Sequence, residues 1–139
     1  MILIDTDVVS ALRRADRAHP NLVNWAQSVP SDEQYISTVT ILEIETGVLR
    51  AERRDHEQGA ILRTWLESVV LRRFAERILP FDLASARRCA VLHVPDRRPD
   101  RDAMIAATAL AWNFPVATRN VAGFAPMGVR VVNPWGYEA

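Results

Sequence analysis

Three acidic residues stand where a carboxylate is costly. Asp5 ends the apolar run MILI, Glu43 sits among Ile41, Leu42 and Ile44, and Asp102 opens the largely apolar stretch AMIAATALAW. Neighbours that fold inward carry each acid toward the interior, where lost hydration has to be replaced. Taken singly, two of them have ordinary explanations. Asp5 suits a helix cap, as Thr6 and Asp7 do, and Asp102 suits the first turn of a helix capped by Asp100. Glu43 suits such a role least. It shares a helix face with Gly47 four residues on, and that glycine leaves room beside the carboxylate for an ion or a substrate backbone. Glu45, about 200° further round the helix, belongs to another face and reads as a solvated or paired charge. The face of Asp102 carries Ile105, Ala106 and Ala109, a close-packing surface. Carboxylates brought together from three distant segments repel and raise one another's pKa. A hard divalent cation removes that cost, and an all-oxygen ligand set favours Mg²⁺ or Mn²⁺ over zinc. His19, His56 and His93 lack ligand spacing and read as surface or helix-packing residues.

The elements that must position these acids alternate along the chain. MILID reads as a buried strand, followed by a short helix near Val8 to Arg14 and a second helix after Pro20. YIST is a strand that feeds the helix TVTILEIETGVLRAERR. The segment HEQGAILRTWLESVVLRRFAE is amphipathic, with Ile61, Leu62, Trp65, Leu66 and Val69 on its apolar face. ILPF is a short strand, and Asp82 caps the helix LASARRCAVLH. The loop PDRRPDRD delivers the chain to DAMIAATALAWNF, and PVAT and VRVVN are short β-branched strands. This alternation argues for one domain over residues 1–139, of α/β class, with a parallel sheet covered on both faces. Ligands of such sheets gather at the strands' carboxyl ends, where Asp5 and Asn120 fall.

Composition removes several classes of function. The 139 residues are 49% hydrophobic, enough for one domain with a core. Formal net charge is zero, so no overall field draws in a polyanion or a membrane. All 17 basic residues are arginine, which excludes Schiff-base chemistry and a phosphate-loop lysine. The one cysteine, Cys89, reads as a small buried helix residue and fits a reducing compartment. No basic-then-apolar leader precedes the first strand and no run is long enough to span a bilayer, so a cytoplasmic protein without membrane contact is expected. Trp25, Trp65 and Trp112 read as core residues, with Trp65 also placed for an interface, and Trp135 as packing the tail onto the domain.

MILIDTDVVS, TVTILEIETGV, RDAMIAATALAWNFPVATRN and VNPW, in that order, resemble the PIN-domain ribonucleases. The resemblance is closest to the VapC-type toxins of toxin–antitoxin pairs, including the FitB-like branch, and it covers nearly the whole chain. It implies a three-layer α/β/α sandwich around a parallel sheet and metal-dependent endonucleolytic cleavage of RNA. Asp5, Glu43 and Asp102 match the family's acidic positions and would hold Mg²⁺ or Mn²⁺. Asp7 stands where the family usually has Asn. Asn120 stands at a fourth position that is often Asp, which lowers the charge of the site by one and leaves a second metal in question. Thr118 matches a hydroxyl beside the site.

The chemistry implied is hydrolysis by a metal-activated water, with in-line attack leaving a 5′-phosphate and a 3′-hydroxyl. Arg97, Arg98 and Arg101, just before Asp102, and Arg119, just after a strand, are the leading RNA-binding candidates, with Arg13, Arg14 and Arg17 behind them. The family implies a VapB-type antitoxin partner and a homodimer. Two other readings compete. Asn120 fits a weakened enzyme that only binds RNA or antitoxin. Asp5-Thr6-Asp7-Val8-Val9 also resembles the first motif of haloacid-dehalogenase-type phosphatases, a class that normally needs a lysine this chain lacks.

Overall fold

The computed structural model describes residues 1–139. Five strands, β1 (Ile2–Ile4), β2 (Gln34–Ser37), β3 (Ile78–Leu79), β4 (Val116–Ala117) and β5 (Val131–Val132), form a sheet of order β3-β2-β1-β4-β5. Every pairing is parallel, with Leu3 beside Tyr35 on one flank and Val116 on the other. The short strands read as apolar runs because both faces of a parallel sheet are covered.

Alternation along β1 splits the core into two layers. Ile2 and Ile4 join Val8, Leu22, Trp25, Ile44, Val48, Leu66 and Val70 on one face. Leu3 faces the other way, toward Cys89, Ala103, Ile105, Ala106, Val116 and Phe124. The first layer is built by α1 (Thr6–Leu12), α2 (Pro20–Ser28), α3 (Thr38–Arg54) and α4 (His56–Trp65). The second is built by α6 (Leu83–Leu92), α7 (Asp100–Trp112) and α8 (Val121–Phe124). The expected three-layer sandwich is therefore present.

Local chemistry explains most boundaries. Ser37 caps α3 by accepting from the Thr40 amide, and Asp82 caps α6 through Ser85. Asn113 ends α7 in the left-handed conformation, φ 57°. A Cβ on Gly59 would lie 2.5 Å from the Glu52 Cα, so only glycine lets α4 pack this closely against α3.

Some elements differ from expectation. α1 runs from Thr6 to Leu12, because Asp5 itself caps it. The segment expected as one helix passes from α4 through a π-helical stretch (Leu66–Val70) into a last turn, α5 (Leu71–Arg73). Both ends of that wider stretch, Leu66 and Val70, are buried. The cap of α7 is Pro99, not Asp100; Asp100 is the first helical residue and its carboxylate is taken by Arg97 at 2.9 Å. Trp112 is 49% exposed rather than core. α7 meets the sheet through its small residues, and Trp112 at its end leans on Phe114 instead.

Candidate active site

At the switch point of the sheet, β1 lies between β2 and β4, the place where ligands of parallel sheets gather. Asp5 follows β1 directly, is 6% exposed, and accepts from the Thr6 amide at 2.8 Å and the Thr118 hydroxyl at 2.7 Å. Asp7, in the first turn of α1, accepts from the Arg119 amide at 3.0 Å, and its other oxygen, Oδ1, is buried with no partner. Glu43 on α3 accepts from the Thr6 hydroxyl at 2.7 Å. Asp102 in the first turn of α7 accepts from Asn120 Nδ2 at 3.3 Å. Asn120 caps α8 by accepting from the Gly123 amide, so its side chain bridges the two helices.

The electrostatics show that the acids share one space. Burial, then the Asp7 and Asp102 charges, push Asp5 up to about 7 against the hydrogen bonds from Thr118 and Thr6. Burial, then Glu43 and Asp7, push Asp102 up as well, opposed by Asn120. These four carboxylates make one ion pair, Glu43 Oε2 with Arg101 Nη1 at 3.9 Å. No three of the chain's His, Cys, Asp and Glu side chains converge closely enough to hold an ion as they stand. The acids are thus electrostatic neighbours that have not closed on a common point. The donor set still fits a hard divalent cation: it is all oxygen, repels itself, and contains a buried carboxylate oxygen, Asp7 Oδ1, that nothing satisfies.

Gly47 opens space as expected, since a Cβ there would meet nothing within 4 Å. It lines a cleft of about 220 Å³ with Thr6, Ser10, Arg13 and Glu43. A larger apolar cavity of about 490 Å³, bounded by Ile4, Val9, Leu12, Trp65 and Phe74, contains no carboxylate and shares Arg13 and Trp65 with the smaller cleft. Glu45 turns away to Arg63 at 2.6 Å.

The arginines divide. Arg97 is occupied by Asp100. Arg98 places Nε in a buried position without a partner, while its amide donates to His93 Nδ1. Arg101 leans toward Glu43, and the exposed Arg119 guanidinium lies 5.1 Å from the centre of the Trp135 ring. Thr118 is engaged with protein groups: it donates to Asp5 and accepts from the Asn120 amide at 3.0 Å, so it orients a carboxylate. Two further residues were not singled out from sequence. Thr6 holds Glu43 with its hydroxyl and Asp5 with its amide, and the buried Thr40 hydroxyl supports Thr6 at 3.0 Å. A threonine between two acids at a strand end was the available signal for Thr6.

The PIN domain family model matches residues 2–125, and the chain belongs to that family. It is 37% identical to the plasmid stability protein StbB of Pseudomonas syringae, covering 97% of this chain and 99% of that one. It is 35% identical to the VapC ribonuclease Y4jK of Sinorhizobium fredii (97% and 98%) and 36% identical to the toxin FitB of Neisseria gonorrhoeae (97% and 99%). The crystal structure of FitAcB from Neisseria gonorrhoeae superposes with TM-score 0.88 at 34% identity, covering 98% and 99% of the two chains. The structure of FitAB bound to a DNA fragment gives 0.89 at 33% identity, covering 100% and 99%.

Proposed function

We propose that this chain is an endoribonuclease that acts as the toxin of a toxin–antitoxin pair, dependent on Mg²⁺ or Mn²⁺. Kinship with a VapC ribonuclease and with the toxin FitB supports the activity and the biological role. The observation that carries the chemistry is that Asp5, Asp7, Glu43 and Asp102, from the end of β1, α1, α3 and α7, are electrostatic neighbours at one sheet edge, where burial and nearby carboxylates raise Asp5 and Asp102.

Asp5, Glu43 and Asp102 are the residues that would hold the cation, with Asp7 supporting them through its unpartnered oxygen. The cation would lower the pKa of a bound water and offset charge developing on the phosphate. The Thr6 amide and the Thr118 hydroxyl each hold one oxygen of Asp5, and the Thr6 hydroxyl holds one oxygen of Glu43, so both carboxylates are oriented by their neighbours. Asn120 holds Asp102 from α8. Arg101, held only by its 3.9 Å contact with Glu43, and Arg119, which makes no ion pair, are the best placed to receive RNA phosphate; Arg97 and Arg98 contribute to the rim.

Purified protein incubated with structured RNA should cleave it in Mg²⁺ or Mn²⁺, leaving 5′-phosphate and 3′-hydroxyl ends. Cleavage no faster than that of an Asp5→Ala control would sink the nuclease reading. It would favour the second reading, a PIN domain that only binds, which the neutral Asn120 beside Asp102 supports. No helix is long and apolar enough to cross a membrane, and the toxin role places the protein's action on RNA in the cytoplasm. Leu42 and Leu49 on α3 and Ile61 on α4, each at least half exposed, offer apolar surface for an antitoxin or a second copy of the chain.

A further inference from the structure

The larger cavity takes no part in the chemistry proposed above. It encloses about 490 Å³ and is lined by α1 and α2, by the chain from α4 to α5, and by Ile4 of β1. Its walls are largely aliphatic, with Val9, Leu12, Val23, Val29 and Val70 beside Ile4, and no carboxylate lines it. That volume is ordinary for a small-molecule site, which pairs an apolar lining with a few placed polar groups. Part of the wall is the π-helical stretch Leu66–Val70, a rare geometry that concentrates at functional sites. Val70 in that stretch is buried while Val69 is half exposed, so the apolar lining reaches the surface.

The polar groups of the lining are unequal. Arg13 and Arg73 both belong to it, and neither forms an ion pair. Arg73 is placed by a buried side chain. Gln34 commits its amide nitrogen to the carbonyls of Ala26 and Val29, which fixes its oxygen, and that oxygen accepts from Arg73 Nη2 at 3.1 Å. A guanidinium carries five N–H donors, and this contact uses one of them. An apolar cavity with cations and no acid selects an anion with an apolar body. An extended peptide would bring backbone groups that this lining cannot pair, whereas an alkyl chain brings none.

We infer that the cavity is a binding site for a medium-chain alkyl carboxylate, its chain among Ile4, Val9, Val23 and Val70 and its head group on the donors left by Arg73. Guanidinium and carboxylate match in a two-pronged geometry that a hydroxyl cannot reproduce. The inference stands apart from the nuclease reading, although Arg13 and Trp65 line both this cavity and the cleft at Glu43 and so make the two sites neighbours.

The test uses the full chain in isothermal calorimetry with hexanoate, octanoate and decanoate, and with decanol as the uncharged counterpart, all below their aggregation concentrations. Decanoate should bind saturably at one site and raise the melting temperature. Affinity should fall about tenfold for each two methylenes removed. Decanol should bind about tenfold more weakly than decanoate. Arg73→Gln should cost about tenfold in decanoate affinity and leave decanol unchanged. Ala26→Phe, which fills the cavity from α2, should abolish binding of both, with a melting curve showing that the domain folds; Val23→Met serves in its place if it does not. Heats that never saturate, hexanoate binding as tightly as decanoate, or Arg73→Gln indistinguishable from the parent overturns the site. Undiminished decanoate binding in the folded cavity-filling variant overturns it as well, because the chain then lies elsewhere.

Discussion

Two groups of carboxylates on this chain invite comparison. On the outer side of the α3–α4 hairpin, Glu45, Glu52 and Glu67 surround Arg63 at 2.6, 3.0 and 3.4 Å. At the sheet edge, Asp5, Asp7, Glu43 and Asp102 make a single ion pair among them, between Glu43 and Arg101 at 3.9 Å. The outer group settles its charge with its own arginine at the partly exposed surface, and the hydrogen bond to Arg63 holds Glu52 below the usual carboxylate range. The inner group is oriented by hydroxyls and amides but left short of positive charge, and Asp5 and Asp102 are pushed up. α3 carries a member of each group two residues apart, Glu43 inward and Glu45 outward. An unsettled, well-oriented charge deficit inside a fold is what distinguishes a candidate site from a surface ion network.

The comparison breaks most visibly in activity. Asp5→Ala should reduce metal-dependent RNA cleavage by more than about a hundredfold, since losing even an outer partner can cost a metal site that much. Arg63→Ala should leave cleavage unchanged. Equal loss from both would erase the distinction.

Stability against pH sharpens it next. Asp5 titrates near 7 in the folded chain, against an ordinary value of 3.8. Between those values the folded state binds the proton that the unfolded state has released, so metal-free protein should gain stability as pH falls from above 7 toward 4. The gain should approach ~4 kcal/mol at most for this group. Asp5→Asn should flatten that dependence. Melting curves in chelator across the range would show it, and a parent chain that loses stability steadily over the same descent would contradict the raised Asp5.

Removing the hydroxyl that orients Asp5 tests the support. Thr118→Val leaves a buried carboxylate oxygen unpartnered and should cost about 1–3 kcal/mol in denaturant unfolding at neutral pH. Millimolar Mn²⁺ should raise the melting temperature of the parent, with most of that gain lost in Asp102→Asn. Asn120→Asp should lower the metal-free melting temperature by adding a fifth charge, and tighten Mn²⁺ binding measured by calorimetry. Weaker binding would place Asn120 outside the ligand set.

The smallest effect belongs to the outer group. Arg63→Ala should shift the melting temperature less than any change above, and the shift should shrink further in high salt, because exposed pairs are well screened.

Much of this was legible residue by residue. The helix TVTILEIETGVLRAERR is α3 to the residue, because Ser37 caps it and its apolar period runs unbroken. Glu43 and Glu45 were separable by helix geometry alone, and the ion pair of Glu45 agrees. Trp112 was not legible: an aromatic in an apolar run looks buried, but the alanines of α7 pack the sheet and leave it outside. The break in α4 was hidden too, since a π-helical stretch changes the hydrogen-bond partner without changing residue type.

By itself, then, the sequence determined the alternation of elements, the parallel sheet, the absence of lysine chemistry and which acids were candidates, all of which follow from residue type and local spacing. Only the tertiary structure decided which groups meet. Thr6 finds Glu43 thirty-seven positions away and Thr118 finds Asp5 one hundred and thirteen away. Those distances along the chain are closed by the packing of β1 between β2 and β4, a contact between faces that no local pattern encodes.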